Sequence, residues 1–119
     1  MLSIRNTVGA LLLALLTMLS LSASAQIGVI PGDSVDGWNL NSLFSPPTNT
    51  VQNFNFIDNN NSGTDAIFGS AHPWNFQNYD YVVGNDNGVH LTSGGSVYND
   101  YWISGGNNGI LISGSAGSV

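Results

Sequence analysis

The chain has 119 residues, no cysteine, one basic side chain and seven carboxylates, all Asp, for a formal net charge of −6. Nothing beyond Arg5 offsets that charge, which argues against nucleic acid and anionic membrane surfaces as partners, and the absence of cysteine excludes disulfide staples. Three Trp, four Tyr and five Phe, set among Asn, Ser, Thr and Gly, supply core material that a disordered tract lacks.

In chain order, the first element is an export signal over residues 1–25. MLSIRNT carries the only Arg, and the fourteen positions from Val8 to Leu21 are apolar except for Gly9, Thr17 and Ser20. Ala23-Ser24-Ala25 offers the small residues a signal peptidase accepts, so cleavage before Gln26 is expected. The run is shorter than the ~20 residues that a membrane-crossing helix needs. The expected product is secreted, extracellular or at the cell surface, with residues 26–119 forming one small β domain. A chain of this length buries only about 60 to 65% of its unfolded surface. A bound metal ion, self-association or continuation of the fold into a partner is therefore expected to supplement its core.

Gln26 to Ile30 is a short apolar run closed by Pro31-Gly32, and residues 26–50 as a whole read as an irregular arm, because Pro46-Pro47 forbids a central strand there. VQNFNFI, Val51 to Ile57, alternates and places Phe54 and Phe56 on one face. Further strands are expected over Ala66–Phe68, Tyr79–Val83, Val89–Thr92, Val97–Ile103 and Ile110–Ser113, each bounded by Gly, Asn or Ser. Residues 113–119 read as a flexible tail or a truncated end. No window carries helical periodicity, so the fold class is all-β, either a small β-solenoid of β-helix type or a β-sandwich.

One repeat can be counted. Gly84, Asn87, Gly88, Val89, Leu91 and Thr92 align with Gly105, Asn108, Gly109, Ile110, Ile112 and Ser113 at an offset of 21. The phrase NNGILISGS, an Asn-Gly turn feeding a short aliphatic strand, resembles the repeat of right-handed parallel β-helix proteins of the pectate-lyase kind, over residues 84–119. That resemblance implies coils of about twenty residues. It also suggests polysaccharide lyase chemistry, which generally relies on a basic residue, and residues 26–119 contain neither Lys nor Arg.

Asp58-Asn59-Asn60-Asn61-Ser62-Gly63-Thr64-Asp65 matches the first half of a calcium loop, with Asp58, Asn60, Ser62 and Asp65 as candidate ligands. Position twelve of such a loop is Gly69 instead of Glu, and the competing reading is a polar turn whose side chains bond local backbone. His72 and His90 lack metal-ligand spacing, and His90 is expected on the solvent face of its strand, so neither receives a role. No serine is marked as a nucleophile. Paired Asp residues could hydrolyse a glycoside, but a chain this small offers little room for the cleft, and no catalytic residue is assigned. WNFQNYDY and YNDYW supply Trp74, Tyr79, Tyr81, Tyr98 and Trp102 as candidate sugar-stacking rings, with burial in the core as the rival reading for Trp74, Phe76 and Trp102. The expected function is a non-enzymatic structural protein of a surface layer or matrix, self-associating through unguarded β edges. The alternatives are a carbohydrate-binding module and a fragment of a β-helix glycoside hydrolase. Expected partners are the protein itself or an extracellular polysaccharide.

Overall fold

The computed structural model describes residues 25–114 and 117–119, so the expected signal segment lies outside the described residues except for Ala25. Among the described residues, short runs of β-branched and aromatic residues between Asn and Gly form twelve strands, every pairing of which is parallel. β1 (Ile27–Val29), β3 (Thr50–Asn53), β6 (Trp74–Asn78), β9 (Gly95–Asn99) and β12 (Gly117–Ser118) form the first sheet. β4 (Ile57–Asn59), β7 (Tyr81–Gly84) and β10 (Trp102–Gly105) form the second, which a bridge from Ser34 to Ile57 extends by one coil. β2 (Trp38–Asn39), β5 (Ile67–Gly69), β8 (Asn87–Leu91) and β11 (Asn108–Ile112) form the third. Each turn of chain gives one strand to each sheet, and about four turns stack as a β-solenoid. The sandwich reading is thereby set aside.

The corner between the first and second sheets has one length throughout. Seven residues separate Ile27 from Ser34, Thr50 from Ile57, Asn75 from Val82 and Ser96 from Ile103. The other corners vary. Seven residues separate Val82 from Val89 and Ile103 from Ile110, whereas ten separate Ile57 from Ile67 and twelve separate Trp38 from Thr50. The offset of 21 read from the sequence is the true register of β8 on β11.

Inward positions stack into columns. Val51, Phe76 and Val97 line the first sheet, Ile57 and Val82 the second, and Ile67, Val89 and Leu91 the third, all buried. Trp74 is enclosed completely, and a Cβ on Gly69 would lie 2.5 Å from its Cδ1. Gly95, at φ +118°, holds a conformation that side chains disfavour, and a Cβ there would run into the Trp74 carbonyl oxygen. Gly69 vacates volume that the indole fills, and Gly95 lets its strand lie close against the Trp74 backbone.

Two sequence expectations are corrected. The arm over 26–50 is the first coil: β1 pairs with β3, β2 pairs with β5, and the short helix α1 (Leu40–Leu43), capped by Asn39, buries Leu40. The single strand expected over Val51–Ile57 is two, because the chain turns after Asn53, and Val97–Ile103 likewise divides after Asn99. At the other end, Gly117 and Ser118 pair with Gly95 and Ser96. Among the described residues no helix is long and apolar enough to cross a membrane.

Candidate functional site

At the constant corner the backbone leaves one sheet before entering the next, and its amides need partners that no strand supplies. Asn53, Asn78 and Asn99, the last residues of β3, β6 and β9, provide them. Each side-chain oxygen accepts the N–H two residues on, from Asn55 (3.1 Å), Asp80 (3.4 Å) and Tyr101 (3.4 Å). Each amide nitrogen donates to the carbonyl of that same residue. The side chains also bond to one another along the axis: Asn53 Nδ2 donates to Asn78 Oδ1 at 2.8 Å, and Asn78 Nδ2 donates to Asn99 Oδ1 at 2.9 Å. Gln52 Nε2 donates to Gln77 Oε1 beside this ladder, at 2.9 Å.

The turn residues point outward and stack at the pitch of the coils. Phe54 lies on Tyr79 with centroids 4.9 Å apart and planes 6° apart, and Phe56 lies on Tyr81 at 4.8 Å and 1°. Trp102 continues the second column at 6.3 Å and 11°, while Tyr98 leans on Tyr79 at 5.8 Å. Nine large apolar or aromatic side chains are exposed among the described residues, and five of them, Phe54, Phe56, Tyr98, Tyr101 and Trp102, stand on this corner. This clustering sets the corner apart from the exposed apolar residues scattered singly elsewhere. Stacking turns the ring faces of Phe54, Tyr79, Phe56 and Tyr81 toward one another, so the columns show solvent mainly their edges. Two carboxylates sit among them as backbone acceptors: Asp33 takes the Phe56 N–H and Asp80 takes the Tyr81 N–H, both at 2.8 Å. Asp100, exposed, occupies in the fourth coil the place that Phe54 and Tyr79 hold below it.

Of the rings expected to stack on sugars, the fold brings together Tyr79, Tyr81, Tyr98 and Trp102. Trp74 is in the core with Phe76, as the burial reading had it, whereas Trp102 is not, being 53% exposed. Phe54, Phe56 and Tyr101 complete the corner and were missed. Their signal is the recurrence of NFNF, NYDY and NDYW after β3, β6 and β9, at offsets of 25 and 21.

The suggested calcium ligands fall on a strand and the loop after it. Asp58 lies in β4, Asn60 and Ser62 are exposed in the loop that follows, and Asp65 is bound elsewhere. Its carboxylate accepts the Asn87 N–H (3.2 Å) and side-chain amide (2.6 Å) and contacts His90 Nδ1 at 2.8 Å. Asn108 Nδ2 donates to Asn87 Oδ1, so Asp65, Asn87 and Asn108 make a second ladder at another corner. Asn59, not Asn60, turns inward, donating to the Asp36 and Asp65 carbonyls. His90 is half-buried between Asp65 and the edge of Phe68. Among the described residues no group of three or more His, Cys, Asp or Glu could share a metal ion. A shallow groove of about 430 Å³ lies at Pro46, Pro47, Thr48, Asn49, His72 and Pro73, where the His72 ring covers Trp74 at 4.1 Å.

Compared with protein-family models, with curated proteins and with solved structures, the chain matches none.

Proposed function

We propose that this chain is a secreted, non-enzymatic structural protein of an extracellular layer or matrix that assembles by pairing its sheet edges with further copies. The observation that carries this reading is the column chemistry. Asn53, Asn78 and Asn99, Gln52 and Gln77, and the stacked rings repeat the same bond from coil to coil, which is the side-chain pattern of strands stacked across chains. β1, β2, β10, β11 and β12 are paired on one side only among the described residues, and no Lys guards them. Seven Asp side chains restrain the process at neutral pH, because like charges on neighbouring molecules repel. Acidification from about pH 8 to about pH 3 is therefore expected to raise light scattering and thioflavin fluorescence together. Salt acts in the same direction, more weakly, by screening. A protein that stays monomeric throughout contradicts the proposal.

A second reading, a carbohydrate-binding module, is favoured by the convergence of Tyr79, Tyr81, Tyr98 and Trp102 on one corner. Retention on a glycan array, lost in Trp102→Ala, is its expected signature. The pectate-lyase kind of β-helix chemistry has no Lys or Arg to use within residues 26–119.

A further inference from the structure

The aromatic corner suits an occupant that no side chain of residues 26–119 can imitate. Five exposed rings surround Asp33, Asp80 and Asp100, and residues 26–119 contain no Lys or Arg to neutralise them. The one ion pair among the described residues, His90 with Asp65, is at a different corner. A second copy would bring more carboxylate to carboxylate there. A neutral glycan would find most ring faces already covered by other rings, since Phe54 with Tyr79 and Phe56 with Tyr81 stack almost parallel. A side chain with a long apolar stem and a cationic head meets both features. Its methylenes lie along the ring edges, and its charge reaches the interleaved carboxylates. Arg fits better than Lys, because its planar guanidinium can take a carboxylate in bidentate fashion and stack on exposed rings such as Tyr101. We infer that the corner carrying Phe56, Tyr81, Tyr98, Tyr101 and Trp102 docks an Arg-rich, extended segment of another protein.

The test is fluorescence anisotropy of a labelled oligo-arginine peptide against the whole secreted chain at about 0.15 M salt, with an oligo-lysine peptide of equal length and a neutral β-glucan as competitors. The double variant Tyr98→Ala/Trp102→Ala keeps the net charge and is expected to weaken binding about tenfold or more, because aromatic anchors dominate such contacts. Tyr98→Ser/Tyr101→Ser is the second ring variant, should the first unfold by circular dichroism. Asp100→Asn, on the corner, and Asp36→Asn, away from it, remove the same charge. The first is expected to weaken binding about threefold or more and the second less than about twofold, since short-range pairing outweighs screened charge. Oligo-arginine should outcompete oligo-lysine. Equal losses from the two Asp variants with none from the ring variants would reduce the contact to diffuse attraction and overturn the inference. Displacement by the glucan, or no binding at all, overturns it as well.

Discussion

Asn78 is the residue on which most of the corner depends. It is fully buried, its oxygen accepts from Asn53 and from the Asp80 amide, and its nitrogen donates to Asn99 and to the Trp102 carbonyl at 3.2 Å. Asn78→Ala removes all of these bonds at a position that is itself fully buried. Each orphaned buried group costs about 1–3 kcal/mol, so the loss in a urea titration is expected to reach about 2–4 kcal/mol. Asn99→Ala, at an exposed position, leaves Asn78 Nδ2 with the Asp80 and Trp102 carbonyls as partners and is expected to cost about 1 kcal/mol or less. Equal costs at the two positions would contradict the ladder as a stabilising device. Gly69 gives a sharper test of packing. Gly69→Ala sets a methyl against the indole and is expected to destabilise by about 1–3 kcal/mol. Trp74→Phe removes part of the obstacle, so the double variant should lose less than the sum of the single ones.

At the scale of elements, the corners differ in what they tolerate. The seven-residue corner carries the Asn ladder and the rings, and one Gly inserted after Asn55 shifts every later side chain against its column. One Gly inserted after Ser62, in an exposed loop that already exceeds the matching corner of later coils, adds only a small loop-closure term. Urea midpoints should fall steeply for the first insertion and hardly at all for the second. The same difference explains what the sequence disclosed. Coils three and four have equal corner lengths, so their repeat aligned without gaps. The coil before them is offset by its longer turn between Ile57 and Ile67, which hid Asn53-Phe54-Asn55-Phe56 from a search at a fixed offset. The first coil places Ile30 where later coils have Asn, and it inserts α1 and two prolines before β3, so periodicity could not show it. Alternation also ran through the corner from Val51 to Ile57, because an outward Phe on each side of Asn55 mimics the period of a strand.

Across the whole molecule, the chain combines strands that can pair further with a charge that resists pairing. The contact of His90 with Asp65 is the sole pairing of a carboxylate with a basic side chain among the described residues, and residues 26–119 contain no Lys or Arg for the other carboxylates to meet. In the proposed reading, export precedes any of this. Intact-mass measurement of secreted material should show a start at Gln26, and retention of Met1 would set the export reading aside. The aromatic corner was half legible in advance, through Tyr79, Tyr81, Tyr98 and Trp102, because rings in polar surroundings draw attention. What the sequence could not show was that rings about 21 to 25 residues apart lie one upon another, a relation that exists only once the coils are stacked.

Self-assembly by addition of like coils makes one structural demand that other kinds of clustering do not. Strands of neighbouring copies must pair at the spacing already present within the solenoid, so X-ray diffraction from aligned, acid-induced assemblies should show a strong reflection near ~4.8 Å along the long axis. The same material from the Gly insertion after Asn55 should show it weakened. Scattering that rises on acidification without that reflection would mean amorphous aggregation of a neutralised protein, and would contradict the account.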